Sequence, residues 1–251
     1  MTQRDPAGPA PLQRGLQLFS AILRDGASRV LREQARELDI PLSTAYRLVA
    51  ALCRDGLVAR AGRGFYGPGL ELAELLRRVD RRAILAAATR PHLRRLARRL
   101  RLTAHLGVLE DEMVTYLLKE QGGGPPVFTQ VGCQLEAYCS AIGKVLLAHL
   151  PAAERDRYVG AGPFVALTPR TITDPTLLHR ELTAVAEAGY AVDDEEVTEQ
   201  LRCIAVPLHD RRHRVVAAIS ASRIEAGGGR TADAMVLDAV RDCVERIERQ
   251  L

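Results

Sequence analysis

The sequence of 251 residues is 47% hydrophobic and 26% charged, which is ample apolar content for two domain cores. Aromatic residues make up only 4% and tryptophan is absent, which argues against binding single-stranded nucleic acid by base stacking. The net charge of +4 is unevenly distributed, because residues 1–100 carry 19 Arg and no Lys against 9 acidic residues, a net of +10. The remainder has a net charge of −6, which indicates a basic nucleic-acid module joined to an acidic domain of another kind.

No metal or cofactor site is predicted, because the six histidines lack ligand spacing and the five cysteines form neither a C-x-x-C pair nor a zinc-finger pattern. Free thiols indicate a reducing compartment. Residues 1–11 are polar and proline-rich and predict a disordered arm rather than a signal peptide. No apolar run reaches the roughly 18 residues of a membrane span. A soluble, cytoplasmic protein is therefore expected.

The first predicted helix contains Leu16, Phe19, Ile22 and Leu23, and residues 31–60 then have the pattern of a helix-turn-helix. A short helix begins at Leu31. After a tight turn, a second helix is opened by Pro41 and Ser43, a proline and a hydroxyl cap, which are both favourable at a helix start. Four apolar residues form its buried stripe: Ala45, Leu48, Val49 and Leu52. This helix would lie in the DNA major groove, with its first turns nearest the base edges.

A wing is predicted next, with a strand at residues 57–60, a turn at 61–64 and a return strand at 65–67. Arg60 and Arg63 would lie beside the phosphate backbone, where charge adds affinity without reading the sequence. The alternative for this half of the chain is a small helical bundle with an ordinary solvated face. The order of helix, tight turn, capped helix and glycine-rich hairpin favours the winged helix-turn-helix.

A periodic helix over residues 70–78 predicts the connection between two domains. A further helix is predicted over residues 84–100, where Pro91 indicates a kink or a restart. Beyond residue 100, strands are predicted at 103–109, 113–119, 127–131, 203–209 and 215–222. Helices are predicted over 140–150, from Asp174-Pro175 to Ala188 with Gly189 as the stop signal, and from Thr231 onward. This order indicates an α+β domain with a mostly antiparallel sheet.

Fragments along nearly the whole chain resemble the IclR family of bacterial transcriptional regulators. Three fragments resemble the DNA-binding half of that family: RGLQLF (14–19), STAYRL (43–48) and FYGPGLELAEL (65–75). Further fragments resemble the effector domain of that family: HLGVLEDEMVTYL (105–117), TITDPTLLHRELTAVAEAGYA (171–191), DDEE (193–196) and RCIAVPLHD with VVAAISAS (202–222). The fragments are collinear and correctly spaced, which makes the resemblance specific.

The resemblance implies a winged helix-turn-helix at residues 12–69, a linker helix at 70–82 and a GAF-like α/β effector domain with one small-molecule pocket at 83–251. It also implies homodimers through the amino domains, often paired into tetramers through the effector domains, acting on double-stranded operator DNA. Carried over by position, the DNA contacts are Ser43, Thr44, Tyr46 and Arg47. The pocket walls fall on Cys139, Ser140, Ala141, Ile142, Gly143, Asp193, Cys203, Ser220 and Ser222.

The residue types support such a pocket. Residues 140–143 start a helix whose free N–H groups and positive dipole end favour an anion. Ser220 and Ser222 are two apart on a strand, so their hydroxyls share one face and suit a small organic acid. Alternatives stay open: both serines on the solvent face, Cys203 in plain core packing, and Asp193 as the cap of a turn, since its carboxylate opposes an acid ligand.

The run Ala137-Tyr138-Cys139 is similar to that of regulators of aromatic-acid catabolism, the β-ketoadipate and hydroxybenzoate group, which favours an aromatic acid as effector. Three positions depart from the common family pattern. Leu42 stands where Lys or Arg is usual, Glu136 replaces a usual Pro, and Gln200 replaces a common Gly. These departures bear on the operator and the ligand rather than on the fold.

Two functions are alternatives to a ligand-responsive regulator that represses or activates transcription. A cysteine enzyme would use Cys139 or Cys203 with His105 and Asp193, but no nucleophile elbow, phosphate loop or zinc-binding helix motif is present. A constitutive DNA-binding protein, whose carboxyl domain only oligomerises, would bind its operator equally with and without metabolites. The sequence favours the non-enzymatic regulator.

Overall fold

The computed structural model describes residues 10–224 and 233–251. The chain forms two compact units, which divide between Asp80 and Arg81. The predicted linker helix, residues 70–82, spans this division, but it is not one continuous helix: one helix ends at Arg77 and the next begins at Arg81. The predicted arm, residues 1–11, lies outside the described residues except for its last two, which are helical.

The first unit is a winged helix-turn-helix, as predicted. Its elements are α1 (Ala10–Asp25), α2 (Leu31–Glu37), α3 (Leu42–Arg54), β1 (Val58–Gly62), β2 (Phe65–Pro68) and α4 (Leu70–Arg77). β1 and β2 form an antiparallel hairpin. The apolar stripe predicted on α3 packs inward, since Ala45 and Val49 share a core with Leu18 and Ile22 of α1.

The prediction that Ser43 caps α3 is wrong. Pro41 is the residue before the helix, its carbonyl accepts the N–H of Ala45 at 2.9 Å, and no side chain caps the first turn. Because the helix already starts at Leu42, Ser43 stands inside the first turn and is exposed. Its hydroxyl is therefore directed to solvent rather than to the helix backbone.

The wing turn is shorter than predicted, because β1 continues to Gly62 and only Arg63 and Gly64 turn the chain. Gly64 has φ 84°, a left-handed backbone that glycine adopts without strain. The shorter turn leaves Arg63 exposed at the tip of the hairpin.

The second unit is an α+β domain. Its helices are α5 (Arg81–Leu100), α6 (Ala141–Ala148), α7 (Ala152–Gly160), α8 (Pro175–Ala188) and α9 (Asp233–Glu248). Its strands are β3 (Thr103–Glu110), β4 (Met113–Gln121), β5 (Gln134–Glu136), β6 (Ala191–Asp194), β7 (Leu201–His209) and β8 (Val215–Ile224). The strands form an antiparallel sheet in the order β5-β4-β3-β8-β7-β6, which confirms the predicted fold class.

Each face of this sheet carries its own core. On the outer face, residues of α5 and α9 such as Leu93 and Val240 pack against Leu106 and Ile219. On the inner face, α6 and α8 pack against the sheet through residues such as Val145 and Leu182. Because side chains alternate along a strand, β3 sends Ala104, Leu106 and Val108 outward and His105 inward.

The strand predicted at residues 127–131 is wrong. This segment is irregular, and the carbonyls of Val127 and Thr129 accept hydrogen bonds from the Lys119 amine instead of from a neighbouring strand. The edge of β4 is occupied by β5, which was not predicted.

Two further elements, α7 and β6, were not predicted from the sequence. The predicted kink or restart at Pro91 is absent, because α5 runs unbroken through this residue. The predicted start of the last helix, Thr231, lies outside the described residues.

Among the described residues, no helix combines the length and the apolar content needed to cross a membrane.

The predicted start and stop signals of α8 are confirmed. The Asp174 carboxylate accepts the N–H of Leu177 at 2.9 Å, Pro175 takes the first helical position, and Gly189 ends the helix at φ 70°. These local signals work because each serves backbone groups that the helix itself leaves unpaired.

We expect Asp174→Ala to lower the free energy of unfolding by about 1 kcal/mol, because the N–H of Leu177 loses its acceptor. Denaturant unfolding followed by circular dichroism measures the loss. Asp174→Asn keeps an oxygen that can accept this bond and is the matched control, with an expected change of a few tenths of a kcal/mol. Equal losses in both variants would show that the charge matters rather than the cap.

Candidate functional sites

Four of the predicted DNA contacts lie in the first turns of α3. Ser43, Tyr46 and Arg47 are exposed and Thr44 is half-buried, whereas Ala45 between them is buried in the core. The exposed side of this helix therefore carries hydroxyl groups and a guanidinium. Such groups can reach base edges when a helix lies in the major groove.

The two wing arginines lie on a concave surface of the same unit. Arg60 and Arg63 line this surface together with Tyr46 of α3 and with Arg32 and Glu33 of α2. Three guanidinium groups against one carboxylate favour an anionic partner such as a phosphate backbone.

Arg32 was not identified from the sequence. Its place beside the wing depends on a backbone bridge between Val30, just before α2, and Phe65 of β2. A contact between two segments so far apart in the chain leaves no mark on periodicity or spacing.

Two rows of side chains cross the inner face of the larger sheet. The first row, from β6 through β7 and β8 to β3, is Asp193, Cys203, Ser222 and Thr103. The second row, from β8 through β3 to β4, is Ser220, His105 and Lys119. Residues paired across neighbouring strands point to the same face, so the register brings together polar groups that are distant in the sequence.

Five residues of these rows and the start of α6 line a buried cavity, called the inner cavity below; the five are Asp193, Cys203, Ser222, Ser220 and His105. Seven of the nine predicted effector residues line it: Ser140, Ala141, Ile142, Asp193, Cys203, Ser220 and Ser222. The predicted residues Cys139 and Gly143 do not. The cavity is also lined by residues that were not predicted: His105, Tyr116, Val127, Thr129, Leu135, Val197 and Leu201. Its volume is about 10 Å³, roughly the space of one water molecule.

Ser220 and Ser222 are 3% and 2% exposed, so the alternative that they face solvent is wrong. Each hydroxyl-bearing residue is paired in register with a residue of β3, His105 or Thr103. Their two-residue spacing was the correct signal, because it places both on one face of β8.

The start of α6 has unused hydrogen-bond donors. The Ser140 hydroxyl caps the helix by accepting the N–H of Gly143 at 3.2 Å. Within the part of the chain that the structure describes, the N–H groups of Ala141 and Ile142 have no acceptor. Gly143 serves packing, since a Cβ there would lie 2.2 Å from the carbonyl oxygen of Ala137.

His105 is a neutral base buried in the inner cavity. Its Nε2 lies 2.8 Å from Thr129 Oγ1, and its ring lies against Tyr116 with a centroid distance of 4.9 Å. Burial, with the nearby Lys119 ammonium, lowers the pKa of His105 to about 3. Among the described residues its Nδ1 has no partner. A buried polar atom left unpaired costs about 1–3 kcal/mol, so a ligand that reaches Nδ1 would recover that energy.

Asp193 caps a turn and also lines the inner cavity. Its Oδ1 accepts the N–H groups of Glu196 at 2.8 Å and Val197 at 3.4 Å, as the alternative interpretation of this residue proposed. Burial outweighs these hydrogen bonds and raises the pKa of Asp193 to about 7. A carboxyl that is partly protonated near neutral pH can donate a hydrogen bond to an acid instead of repelling it.

The turn after β6 is held by buried ionic contacts. The Lys144 amine of α6 lies 2.5 Å from Glu196 Oε1 and 2.9 Å from Glu181 Oε1. Burial alone would lower the pKa of this amine, but the two carboxylates outweigh burial and raise it. The hydroxyl of Thr168 adds a hydrogen bond to the carbonyl of Glu195 at 2.6 Å. This wall of the cavity is therefore firmly fastened.

Gln200 follows this turn with φ 64°, a left-handed backbone that costs a non-glycine residue about 1 kcal/mol. The departure from the family's common glycine therefore introduces strain next to the cavity wall. The N–H of Gln200 donates to Glu195 Oε2 at 3.1 Å, which helps to hold the conformation.

Cys203 and Cys139, the two cysteines considered as nucleophiles, are buried. Burial and the nearby Asp193 carboxylate raise the pKa of the Cys203 thiol well above its usual range, and burial likewise raises the pKa of Cys139. A thiol that stays protonated is a poor nucleophile. No group of three or more His, Cys, Asp or Glu within residues 10–224 and 233–251 could hold a metal ion.

A winged helix-turn-helix joined to an α/β domain with a small enclosed polar cavity defines a class of protein, the transcriptional regulators with an effector-binding domain. Comparison with protein families agrees. The IclR helix-turn-helix domain matches residues 11–62, and the bacterial transcriptional regulator IclR C-terminal domain matches residues 77–249. The chain belongs to the IclR family.

Known relatives span nearly the same length. The HTH-type transcriptional regulator KdgR of Escherichia coli is 32% identical over 85% of this chain and 83% of its own. The Pca regulon regulatory protein of Pseudomonas putida is 28% identical over 87% of this chain and 75% of its own. An IclR homologue from Microbacterium hydrocarbonoxydans, solved in complex with 4-hydroxybenzoate, is 26% identical with a TM-score of 0.64, covering 96% of this chain and 99% of that one.

We expect Asp193→Asn to flatten the pH dependence of stability between about pH 5 and pH 7. The folded carboxyl keeps its proton up to about pH 7, whereas an unfolded aspartate releases it near pH 3.9. The folded state therefore binds more protons, and this group makes stability fall by roughly 1.4 kcal/mol per unit of rising pH. Denaturant unfolding across this range measures the slope. An unchanged slope in the variant would show that Asp193 is ionised in the folded protein.

Proposed function

We propose that the protein regulates transcription by binding operator DNA through α3 and the wing, and that a small hydroxylated organic acid in the inner cavity changes this binding. One observation carries the proposal. The buried inner cavity is lined by Ala141 and Ile142, whose N–H groups have no acceptor among the described residues, and by His105, whose Nδ1 has no partner there.

The chemistry of the cavity favours an acid that also bears a hydroxyl group. The N–H groups at the start of α6, together with the positive end of the helix dipole, would hold a carboxylate. The neutral His105 ring can donate or accept at Nδ1 depending on its tautomer. The hydroxyls of Ser220 and Ser222 offer further donors and acceptors on the sheet side.

We further propose an aromatic acid of the hydroxybenzoate or β-ketoadipate type. The Ala137-Tyr138-Cys139 run supports this subgroup, as does the likeness to a Pca regulon regulatory protein and to a homologue complexed with 4-hydroxybenzoate. Apolar groups of the cavity wall, including Tyr116 and Leu135, would cover a ring.

At the DNA, we propose that Ser43, Thr44, Tyr46 and Arg47 contact bases and nearby phosphates. Arg60 and Arg63 would contact the flanking backbone, and Arg32 would join them on the same concave surface. Exposure of these groups on one unit supports the assignment.

We propose that the protein acts as a homodimer or homotetramer, as family members oligomerise. Leu12 and Leu16 of α1 are 60% and 57% exposed, an apolar stripe that a second copy would cover. Residues 70–82, predicted as the linker, would then transmit changes between the effector domain, residues 83–251, and the DNA-binding domain, residues 12–69.

A constitutive DNA-binding protein is the second candidate, and the small volume of the inner cavity is the observation that favours it. The two proposals differ in one measurable quantity. A regulator predicts a coupling of about 1–3 kcal/mol between effector and operator binding, whereas the constitutive protein predicts none.

We expect Arg47→Ala to weaken operator binding by about 1–3 kcal/mol if Arg47 reads a base. Fluorescence anisotropy with the upstream promoter fragment and with random duplex DNA measures both affinities. Arg54→Ala, at the far end of the same helix, is the charge-matched control and should lose less on the promoter fragment. An equal loss on random DNA would reduce Arg47 to a phosphate contact.

We expect hydroxylated benzoates, ring-cleavage acids or short 2-oxo acids to raise the melting temperature and to shift operator affinity about 5- to 150-fold. Ser220→Ala should weaken binding of the active acid by about 0.5–1.5 kcal/mol, because one hydrogen bond is lost. Thermal-shift screening followed by DNA titration tests this. Stabilisation by sugars or amines alone would contradict the proposed ligand class.

A further inference from the structure

We propose that Lys119 acts as a latch that holds residues 125–131, called the lid below, over the inner cavity. Release of the Lys119 amine from the lid would open the cavity to its ligand. The identity of that ligand rests on the proposed function, but the latch itself is a property of the chain without ligand.

The size of the inner cavity requires that one wall moves. A volume of about 10 Å³ holds roughly one water molecule, whereas pockets for small molecules are commonly about 300 Å³ or more. An organic acid cannot enter unless the walls separate. The wall held by the fewest hydrogen bonds and close contacts is the one expected to move.

Three of the walls are firmly held. β3, β7 and β8 belong to a continuous antiparallel ladder. α6 lies so close to its neighbours that a Cβ on Gly143 would meet Ala137 backbone atoms at 2.2 Å. The turn that carries Asp193 is fastened by the buried Lys144 amine through Glu196. None of these can move without breaking several buried contacts.

The lid is the exception. It contributes Val127 and Thr129 to the cavity wall, yet within the described residues, positions 123–129 make no backbone–backbone hydrogen bond. The segment is anchored at both ends, where the Gly122 N–H donates to Leu102 at 2.9 Å and the Gly132 N–H donates to Tyr116 at 2.8 Å. Between these anchors, side-chain contacts hold the segment in place of backbone hydrogen bonds to a neighbouring strand.

Lys119 supplies the main contacts. Its Nζ donates to the carbonyl of Val127 at 2.7 Å and to that of Thr129 at 2.6 Å. Thr129 also contacts His105 through its hydroxyl at 2.8 Å. Hydrogen bonds from a charged donor are stronger than neutral ones, so this amine makes the strongest polar contacts of the lid. The Gln130 N–H also donates to Cys133 Sγ at 3.3 Å, and the Gln130 carbonyl accepts the Cys133 N–H at 3.2 Å.

The use of lysine at this position is itself informative. The chain contains 33 arginines and only two lysines, Lys119 and Lys144. Both place their amines on oxygens of a neighbouring segment at short distances. A compact ammonium can lie between two carbonyls two residues apart, which a planar guanidinium cannot do in the same space. Lysine therefore occurs where the geometry needs a point charge.

The first anchor of the lid lies beside the end of α5. A Cβ on Gly122 would lie 1.8 Å from the Ala97 carbonyl oxygen, and one on Gly124 would lie 2.3 Å from that of Arg101. The chain thus passes directly over the last turn of α5, the helix that begins at the domain linker. Movement of the lid would act on that helix turn.

Hydrogen–deuterium exchange of the full-length protein without ligand tests the latch. Lys119→Met keeps the aliphatic stem and removes the donors. Peptides covering residues 130–133 should then exchange at least about tenfold faster, because the N–H groups of Gln130, Gly132 and Cys133 are the hydrogen-bonded ones at the end of the lid. Peptides from β3, β7 and β8 should not change. Arg180→Met removes one exposed positive charge from α8 and is the matched control, with wild-type exchange expected throughout. Unchanged exchange of residues 130–133 in Lys119→Met would overturn the proposal. Faster exchange across the whole effector domain would also overturn it, because Lys119 would then support the fold and not the lid.

Binding of 4-hydroxybenzoate gives a second readout. Lys119→Met should bind and release this probe faster than the wild type, because the lid opens more often. If the wild type does not bind 4-hydroxybenzoate, the proposed ligand class fails while the exchange result still decides the latch. Unaltered rates of both binding and release in the variant would contradict a lid.

Discussion

The close approach of α6 to the inner face of the sheet is the constraint on which the effector-binding unit depends. Gly107 of β3 permits it, because a Cβ there would lie 2.9 Å from Ile142. Gly143 permits the close packing of α6 on the turn that precedes it, where a Cβ would lie 2.2 Å from the Ala137 carbonyl oxygen. This packing brings the unused N–H groups at the helix start to the polar rows of the sheet. A bulkier residue at Gly107 would separate the sheet from α6.

Burial of ionisable groups then determines the electrostatic character of the inner cavity. Lys144 is paired with Glu196 and Glu181, since an isolated buried charge would be costly. The groups that line the cavity itself are kept mostly uncharged: His105 is neutral, Cys203 is a thiol and Asp193 is partly protonated near neutral pH. The remaining field comes from the helix dipole, the backbone donors and the nearby Lys119 ammonium, all of which favour an anion.

Much of the fold could be predicted from the sequence, because helix periodicity, turn residues and two-residue strand alternation are local. The paired serines of β8 were recognised in this way, as was the cap of α8. His105 and Thr129 were missed as cavity residues, because their positions depend on the register between distant strands and on an irregular segment. Residues 127–131 were mistaken for a strand, since β-branched and aromatic residues there imitate one while a lysine side chain takes the place of the ladder.

Side chains alternate along β3, so its two faces belong to different parts of the domain. His105 lines the inner cavity, while Ala104, Leu106 and Val108 lie in the opposite core with α5 and α9. Under the proposed function, substitution of His105 would alter what the cavity accepts, whereas substitutions in the second set would alter how the outer helices pack. Relatives can therefore diverge in chemical preference while they retain the outer layer that connects to the DNA-binding unit.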